Sequence, residues 1–172
     1  GIEYYNNNIF YNGYWLDNYK HGIGKLYYQI PNVVYYYGNF INNKKHGTGT
    51  LYYKSEIIKL NGQWENDFLL YGIEYWENGH QKYEGSFKND KYYGDSSIYL
   101  ENGDIYYEGA FLDGFKHGFG KEYNNNTIIY EGNWINNLKS GYGKMFSNNI
   151  LIYEGYFLNN NKSGYGKLYL NN

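Results

Sequence analysis

The feature that most constrains this chain is a lattice of glycines. A five-residue pattern with glycine at its centre and an aromatic ring at its end occurs seven times: YNGYW at 11, YYGNF at 36, LNGQW at 60, YEGSF at 83, YEGAF at 107, YEGNW at 130 and YEGYF at 153. The central glycines, Gly13, Gly38, Gly62, Gly85, Gly109, Gly132 and Gly155, are 23 to 25 residues apart. In six copies a second glycine follows nine residues later (Gly22, Gly47, Gly94, Gly118, Gly141, Gly164), and in five a third comes two further on (Gly24, Gly49, Gly120, Gly143, Gly166). A fixed period of this length is the mark of a repeat architecture, in which each unit buries its apolar surface against its neighbours.

Each unit reads as a β-hairpin. In YEGNW, Tyr130, Gly132 and Trp134 share one face of a strand by period two. Asn and Lys in INNLKS form a turn, and Gly141 to Phe146 return. Asn-Gly at 78–79 and 102–103 and Asn-Asn at 148–149 are turn signals between units. The chain should therefore be an all-β, single-layer antiparallel meander of about fourteen strands, extending about 65–70 Å at 4.8 Å per strand.

The interior of such a sheet must be made of rings. Tyr, Phe and Trp number 27, 9 and 4 in 172 residues, while Leu, Val and Ala are sparse. Rings lying flat over glycine cover hydrogen bonds that bare glycine would expose, and ring pairs add roughly 0.5–1.5 kcal/mol each beyond area burial. If Gly132 faces Gly143, then Tyr130 faces Met145, Trp134 faces Gly141 and Glu131 faces Lys144. Glu108 with Lys121 and Glu154 with Lys167 follow in the same register, as cross-strand ion pairs.

The pattern Y-E-G-x-W/F followed by G-x-G-K-x-x-Y resembles the MORN (membrane occupation and recognition nexus) repeat over essentially the whole chain. Repeats starting near 107, 130 and 153 fit closely; those near 11 and 36 differ in the opening pair, Tyr11-Asn12 and Tyr36-Tyr37. The repeat near 60 spaces Gly62 and Gly72 by ten, with Glu74 where the last glycine belongs; the repeat near 83 has Ser96 there. Residues 1–10 resemble a half repeat, and 1–172 is expected to be one array belonging to a longer protein or an assembly. The resemblance implies an elongated, twisted, grooved sheet and a non-catalytic scaffold or adaptor. Members serve in cytoskeletal, ciliary and membrane-linked assemblies; some bind helical or extended partner segments in the groove, and some form homodimers. A cytoplasmic location follows, on a cytoskeletal or ciliary structure or at the cytoplasmic face of a membrane.

Candidate residues follow from both readings. Trp15, Phe40, Trp64, Phe87, Phe111, Trp134 and Phe157 are expected to line a partner-binding groove, with Tyr142 and Tyr165 on the other face; contiguous aromatic surface marks interaction sites. Lys20, Lys45, Lys116, Lys139 and Lys162 each precede a second glycine by two residues, which suggests a row at one sheet edge. Lys116, Lys139 and Lys162 would then face anionic lipid at roughly 1 kcal/mol per lysine, or simply protect that edge. The alternative functions are thus a peripheral membrane tether and an accessory region of an enzyme.

Other chemistry is poorly supported. All 15 basic residues are Lys and the net charge is −2, against a nucleic-acid partner. His21, His46 and His117 occupy one position in separate repeats, so they do not converge on a metal. With no Cys and no helix after any G-x-G, neither a thiol nucleophile nor a phosphate cradle is expected. No cofactor is implied.

Overall fold

A computed structural model describes residues 1–169. The first half repeat is strand β1 (Ile2–Tyr5). The seven repeats that follow are hairpins: β2 (Asn8–Leu16) with β3 (Tyr19–Tyr27), β4 (Val34–Ile41) with β5 (Lys44–Tyr52), β6 (Ile58–Glu65) with β7 (Phe68–Tyr75), β8 (Gln81–Lys88) with β9 (Lys91–Tyr99), β10 (Ile105–Leu112) with β11 (Phe115–Asn124), β12 (Thr127–Ile135) with β13 (Leu138–Ser147), and β14 (Ile150–Leu158) with β15 (Asn161–Leu168). Strand order is chain order throughout. The antiparallel meander expected from the glycine lattice is the fold that forms, with β1 as its fifteenth strand. The strands fall into two compact units, one of residues 1–82 with 87–90, the other of 83–86 with the strands from Lys91 on.

The turns explain the asparagines. In the loops joining β12 to β13 and β13 to β14, both central residues have positive φ: Asn136 (50°) with Asn137 (67°), and Asn148 (49°) with Asn149 (63°). This is the two-residue turn whose twist matches the strands it joins, and asparagine tolerates it better than other side chains. The Asn-Gly pairs at 78–79 and 102–103 instead end longer turns, in which Gly79 N–H donates to Trp76 O and Gly103 N–H to Leu100 O. The equivalent turn after β5 puts Glu56 at φ 65°, its N–H bonded to Tyr53 O. A non-glycine side chain there costs about 1–2 kcal/mol. Glu56→Gly is therefore expected to raise unfolding stability by about 0.5–1 kcal/mol in a denaturant titration, glycine's extra unfolded-state entropy removing part of the gain.

Turn asparagines also fasten one repeat to the previous one. Lys116 N–H donates to Asn137 Oδ1 (2.8 Å) while Asn137 N–H donates to Lys116 O (3.0 Å). Asn160 makes the same two-way clamp with Lys139, Asn43 with Lys20, and Asp67 with Lys45.

The register is the expected one at the glycines and differs beyond them. Gly132 faces Gly143, Tyr130 faces Met145 and Glu131 faces Lys144. Glu108 faces Lys121 and Glu154 faces Lys167. None of these three carboxylates closes an ion pair within its hairpin. Glu108 accepts instead from the Tyr123 hydroxyl and Glu154 from Tyr169, each at 2.5 Å, and Glu131 meets Lys121 of the previous repeat at 3.9 Å. Trp134 faces Lys139, not Gly141, because a bulge follows Gly132. Gly141 sits inside that bulge at φ 80°, and the tryptophan lies opposite the second glycine of the preceding repeat, Gly118.

The repeat starting near 60 needs a corrected alignment. Gly72 faces Gly62, so it is the third glycine rather than a displaced second one; the bulge has lost a residue. Glu74 thus stands two positions past the glycine, where Glu122 stands two repeats later.

Candidate functional site

The buried face is built on the tyrosine that opens each repeat. Tyr11, Tyr36, Tyr83, Tyr107 and Tyr130 are fully buried and Tyr153 nearly so. The ring runs forward along its own strand over the glycine pair. A β-carbon on Gly143 would lie 2.7 Å from two ring carbons of Tyr130, and one on Gly132 would lie 2.5 Å from the Gly143 Cα. The tyrosine hydroxyl then donates to the carbonyl three residues on: Tyr130 to Asn133 at 3.1 Å, Tyr153 to Tyr156 at 3.2 Å, and Tyr11 to Tyr14 at 2.9 Å. That acceptor belongs to the residue skipped by the bulge, so the bulge and the tyrosine tip are one device. Burial first, and then the Glu122 charge, push the Tyr130 hydroxyl up to about 12.

The Trp and Phe rings interleave with these tyrosines edge to face. Tyr107 meets Phe111 at 5.1 Å and Trp134 at 5.5 Å; Tyr130 meets Trp134 at 5.2 Å and Phe157 at 5.2 Å. In the first unit, Tyr11 contacts Trp15 and Phe40, and Tyr36 contacts Phe40 and Trp64, in the same geometry. Trp134 Nε1 donates to Gly120 O and Trp64 Nε1 to Gly49 O, each in the preceding repeat. Of the seven rings expected to line a groove, Phe40, Trp64, Phe87, Phe111, Trp134 and Phe157 are therefore core, and Trp15 alone is substantially exposed. Phe111 and Trp134 still border a cleft of about 590 Å³ in the second unit, together with Tyr92, Ile98 and Tyr106.

The lysines are not a row along the sheet edge. The bulge places each one opposite the Trp or Phe of its hairpin, and so on the ring face: Trp15 with Lys20, Phe40 with Lys45, Phe111 with Lys116, Trp134 with Lys139, Phe157 with Lys162. Their ammonium groups lie over rings, Lys45 at 4.6 Å from Trp64, Lys116 at 4.1 Å from Tyr106 and 4.6 Å from Trp134, Lys139 at 4.8 Å from Tyr130, Lys162 at 4.7 Å from Tyr153. Cation–π attraction of this kind grows with desolvation. Burial lowers the Lys45 ammonium, partly offset by Asp67 and Asp90. Lys116 is 6% exposed. Its charge lies among the rings, Lys139 is likewise engaged with Glu122, and of the three lysines expected to face lipid Lys162 is the exposed one.

Lys116 and Lys139 converge on Glu122, at 3.1 Å to Oε1 and 2.7 Å to Oε2. Glu122 shares with Glu74 a column that holds Leu26, Leu51, Met145 and Leu168 in other repeats; an acid in a mostly apolar column is the signal that could have identified it. Burial acts to raise its carboxyl, but the two lysines outweigh burial and hold it below the ordinary 4.5. A depressed carboxylate adds stability above its unfolded pKa, and this is lost as pH falls through the folded value. Acid titration of the melting temperature should thus show a loss beginning near pH 4.5 and continuing below it, and Glu122→Gln should flatten that segment.

The opposite face carries the exposed rings. Phe119 (55% exposed), Tyr142 (45%), Tyr156 (52%) and Tyr165 (91%) lie in one row across β11, β13, β14 and β15. Asn133 of β12 separates the first two, while Tyr142 and Tyr156 are cross-strand partners with rings 5.8 Å apart. A shallow pocket of about 240 Å³ opens between Phe119, Asn133 and Tyr142. Tyr142 and Tyr165 were expected on this face; Phe119 and Tyr156 were not. Phe119 shares the middle position of G-x-G with Tyr142 and Tyr165, a column readable from the repeat alignment.

Among the described residues no group of three or more His, Cys, Asp or Glu side chains could hold a metal, and no helix is long and apolar enough to cross a membrane. A search of curated proteins gives no match. The MORN repeat profile matches residues 11–30, 36–56, 83–92, 107–128, 130–149 and 153–172, together well over half of the sequence. The repeat near 60, with its shortened bulge and Leu60 in place of tyrosine, falls outside the match. With six matched segments spread from residue 11 to residue 172, the chain belongs to the MORN repeat family.

Proposed function

We propose that this chain is a non-catalytic scaffold that holds a partner protein against the exposed ring row of Phe119, Tyr142, Tyr156 and Tyr165, within a cytoskeletal, ciliary or membrane-associated assembly. The observation that carries this reading is that row itself. Four large aromatic side chains stay wet on β11, β13, β14 and β15, while Tyr107, Phe111, Tyr130, Trp134, Tyr153 and Phe157 of the other face are used up in the core. Tyrosine and phenylalanine are favoured interface anchors, and a contiguous apolar patch on a folded surface is a common interaction site. Glu131, Glu154, Lys121 and Lys144 flank the row with both signs of charge, a polar rim of the kind found around interface cores. Family membership supports a scaffold role. The engagement of Lys116 and Lys139 with Glu122 weighs against the lipid-tether alternative.

The test is proximity labelling and crosslinking in the native source with the wild-type chain and with Tyr142→Ala/Tyr156→Ala. These side chains are half exposed, so melting should change little. The expected result is loss of specific crosslinked partners in the variant, with wild-type association surviving moderate salt. Unchanged partners in the variant, or vesicle sedimentation that collapses with salt and ignores the ring changes, would overturn it.

A further inference from the structure

We infer that the cleft on the tyrosine face of the second unit is a binding site for a monoanionic carboxylate carried on an apolar group. This site is separate from the exposed ring row and does not depend on it. Three charged side chains reach its floor, Lys116, Lys139 and Glu122, and their sum is one net positive charge. Lys116 is nearly fully buried and Lys139 and Glu122 are largely so. Both lysines pair with the same carboxylate, Glu122, so two positive charges share one negative charge. Asp95, whose charge also acts on Tyr107, is exposed and pairs with Ala110 in the ladder, on the opposite face from Glu122. Burying a net charge without a counter-ion is costly. Each ammonium has three donors and spends one on Glu122, so donor capacity remains toward the cleft.

The walls set the rest of the ligand. Tyr92, Ile98, Phe111 and Trp134 are apolar or aromatic, and the volume of about 590 Å³ is in the range of small-molecule sites. A carboxylate matches the single excess charge and could lie beside the ammonium groups while its apolar part covers the rings. A phosphate monoester brings close to two negative charges and would be repelled by Glu122. The carboxylate could come from a small apolar acid or from a glutamate flanked by apolar residues in a peptide; both share the chemistry.

Titration calorimetry, with the Trp134 indole N–H resonance as a local reporter, tests this on the wild-type chain using octanoate, octanol, octyl phosphate and a blocked Leu-Glu-Leu peptide. Octanoate or the peptide should bind and shift the Trp134 signal, and which of them does so identifies the source. Lys139→Gln leaves a neutral Lys116–Glu122 pair and should weaken that binding about tenfold, the size of one charge-assisted hydrogen bond. Glu122→Gln removes the competing anion and should strengthen it by a similar factor. If this variant does not fold, Lys139→Gln alone decides. Octanol binding as well as octanoate, octyl phosphate binding better, no shift at Trp134, or indifference to Lys139→Gln would each overturn the assignment.

Discussion

Trp134→Ala is expected to lower the unfolding free energy by about 3–5 kcal/mol, the range for removing a large buried aromatic. The residue is 2% exposed. It ties its own repeat to the preceding one: its ring meets the edges of Tyr107 and Tyr130, its Nε1 donates to Gly120 O, and the Lys116 ammonium lies 4.6 Å from its centre. In a one-layer sheet no second layer can collapse into the space left behind. The loss should therefore sit toward the upper end, measured by urea titration followed at the remaining tryptophans. Trp15→Ala is the internal comparison, since that ring is 38% exposed and contacts Tyr11 alone of the repeat-opening tyrosines; its cost should be less than half as large.

The second large effect is expected at a glycine. Gly143 has an ordinary extended backbone, so Gly143→Ala introduces no φ strain. Its new β-carbon would instead land in the Tyr130 ring, 2.7 Å from two of its carbons. Overpacking of this kind costs about 1–3 kcal/mol, and here the ring is fully buried with its hydroxyl fixed on Asn133 O. Ser96 shows how a repeat can accommodate a side chain at the same place: its Oγ lies 2.7 Å from the Tyr83 hydroxyl, and Tyr83 stacks on Tyr92 with centroids 3.7 Å apart. Alanine lacks that hydrogen bond, so the compensation is not open to it.

How far the sequence carried these conclusions differs from residue to residue. The hairpin period, the facing glycines and the Tyr130–Met145 pairing were legible because they repeat, and repetition averages out local noise. The rings over glycine were legible as a kind of contact, but which ring makes it was not. Tyrosine, and not Trp or Phe, covers the glycine pair, and its hydroxyl takes up the Asn133 carbonyl that the bulge after Gly132 frees. The same bulge moved the lysines from the edge to the ring face, and period-two counting cannot see a bulge whose extra residues lie within a G-x-G segment. Glu122 was hidden for another reason: its meaning comes from two lysines in different repeats, brought together by strand pairing alone. The exposed row was half legible, through Tyr142 and Tyr165, since an aromatic residue in a strand looks the same to the sequence whether it is wet or dry.

The central physical claim is that glycine is required because a tyrosine ring occupies the space a β-carbon would need. A double-mutant cycle on Tyr130→Ala and Gly143→Ala, read as unfolding free energies, tests it most directly. Removing the ring should empty that space, so Gly143→Ala should cost about 2 kcal/mol in the wild-type background and close to nothing once Tyr130 is alanine. Equal costs in both backgrounds would mean that glycine serves some other end, and that the interior of this sheet is not organised by ring against glycine.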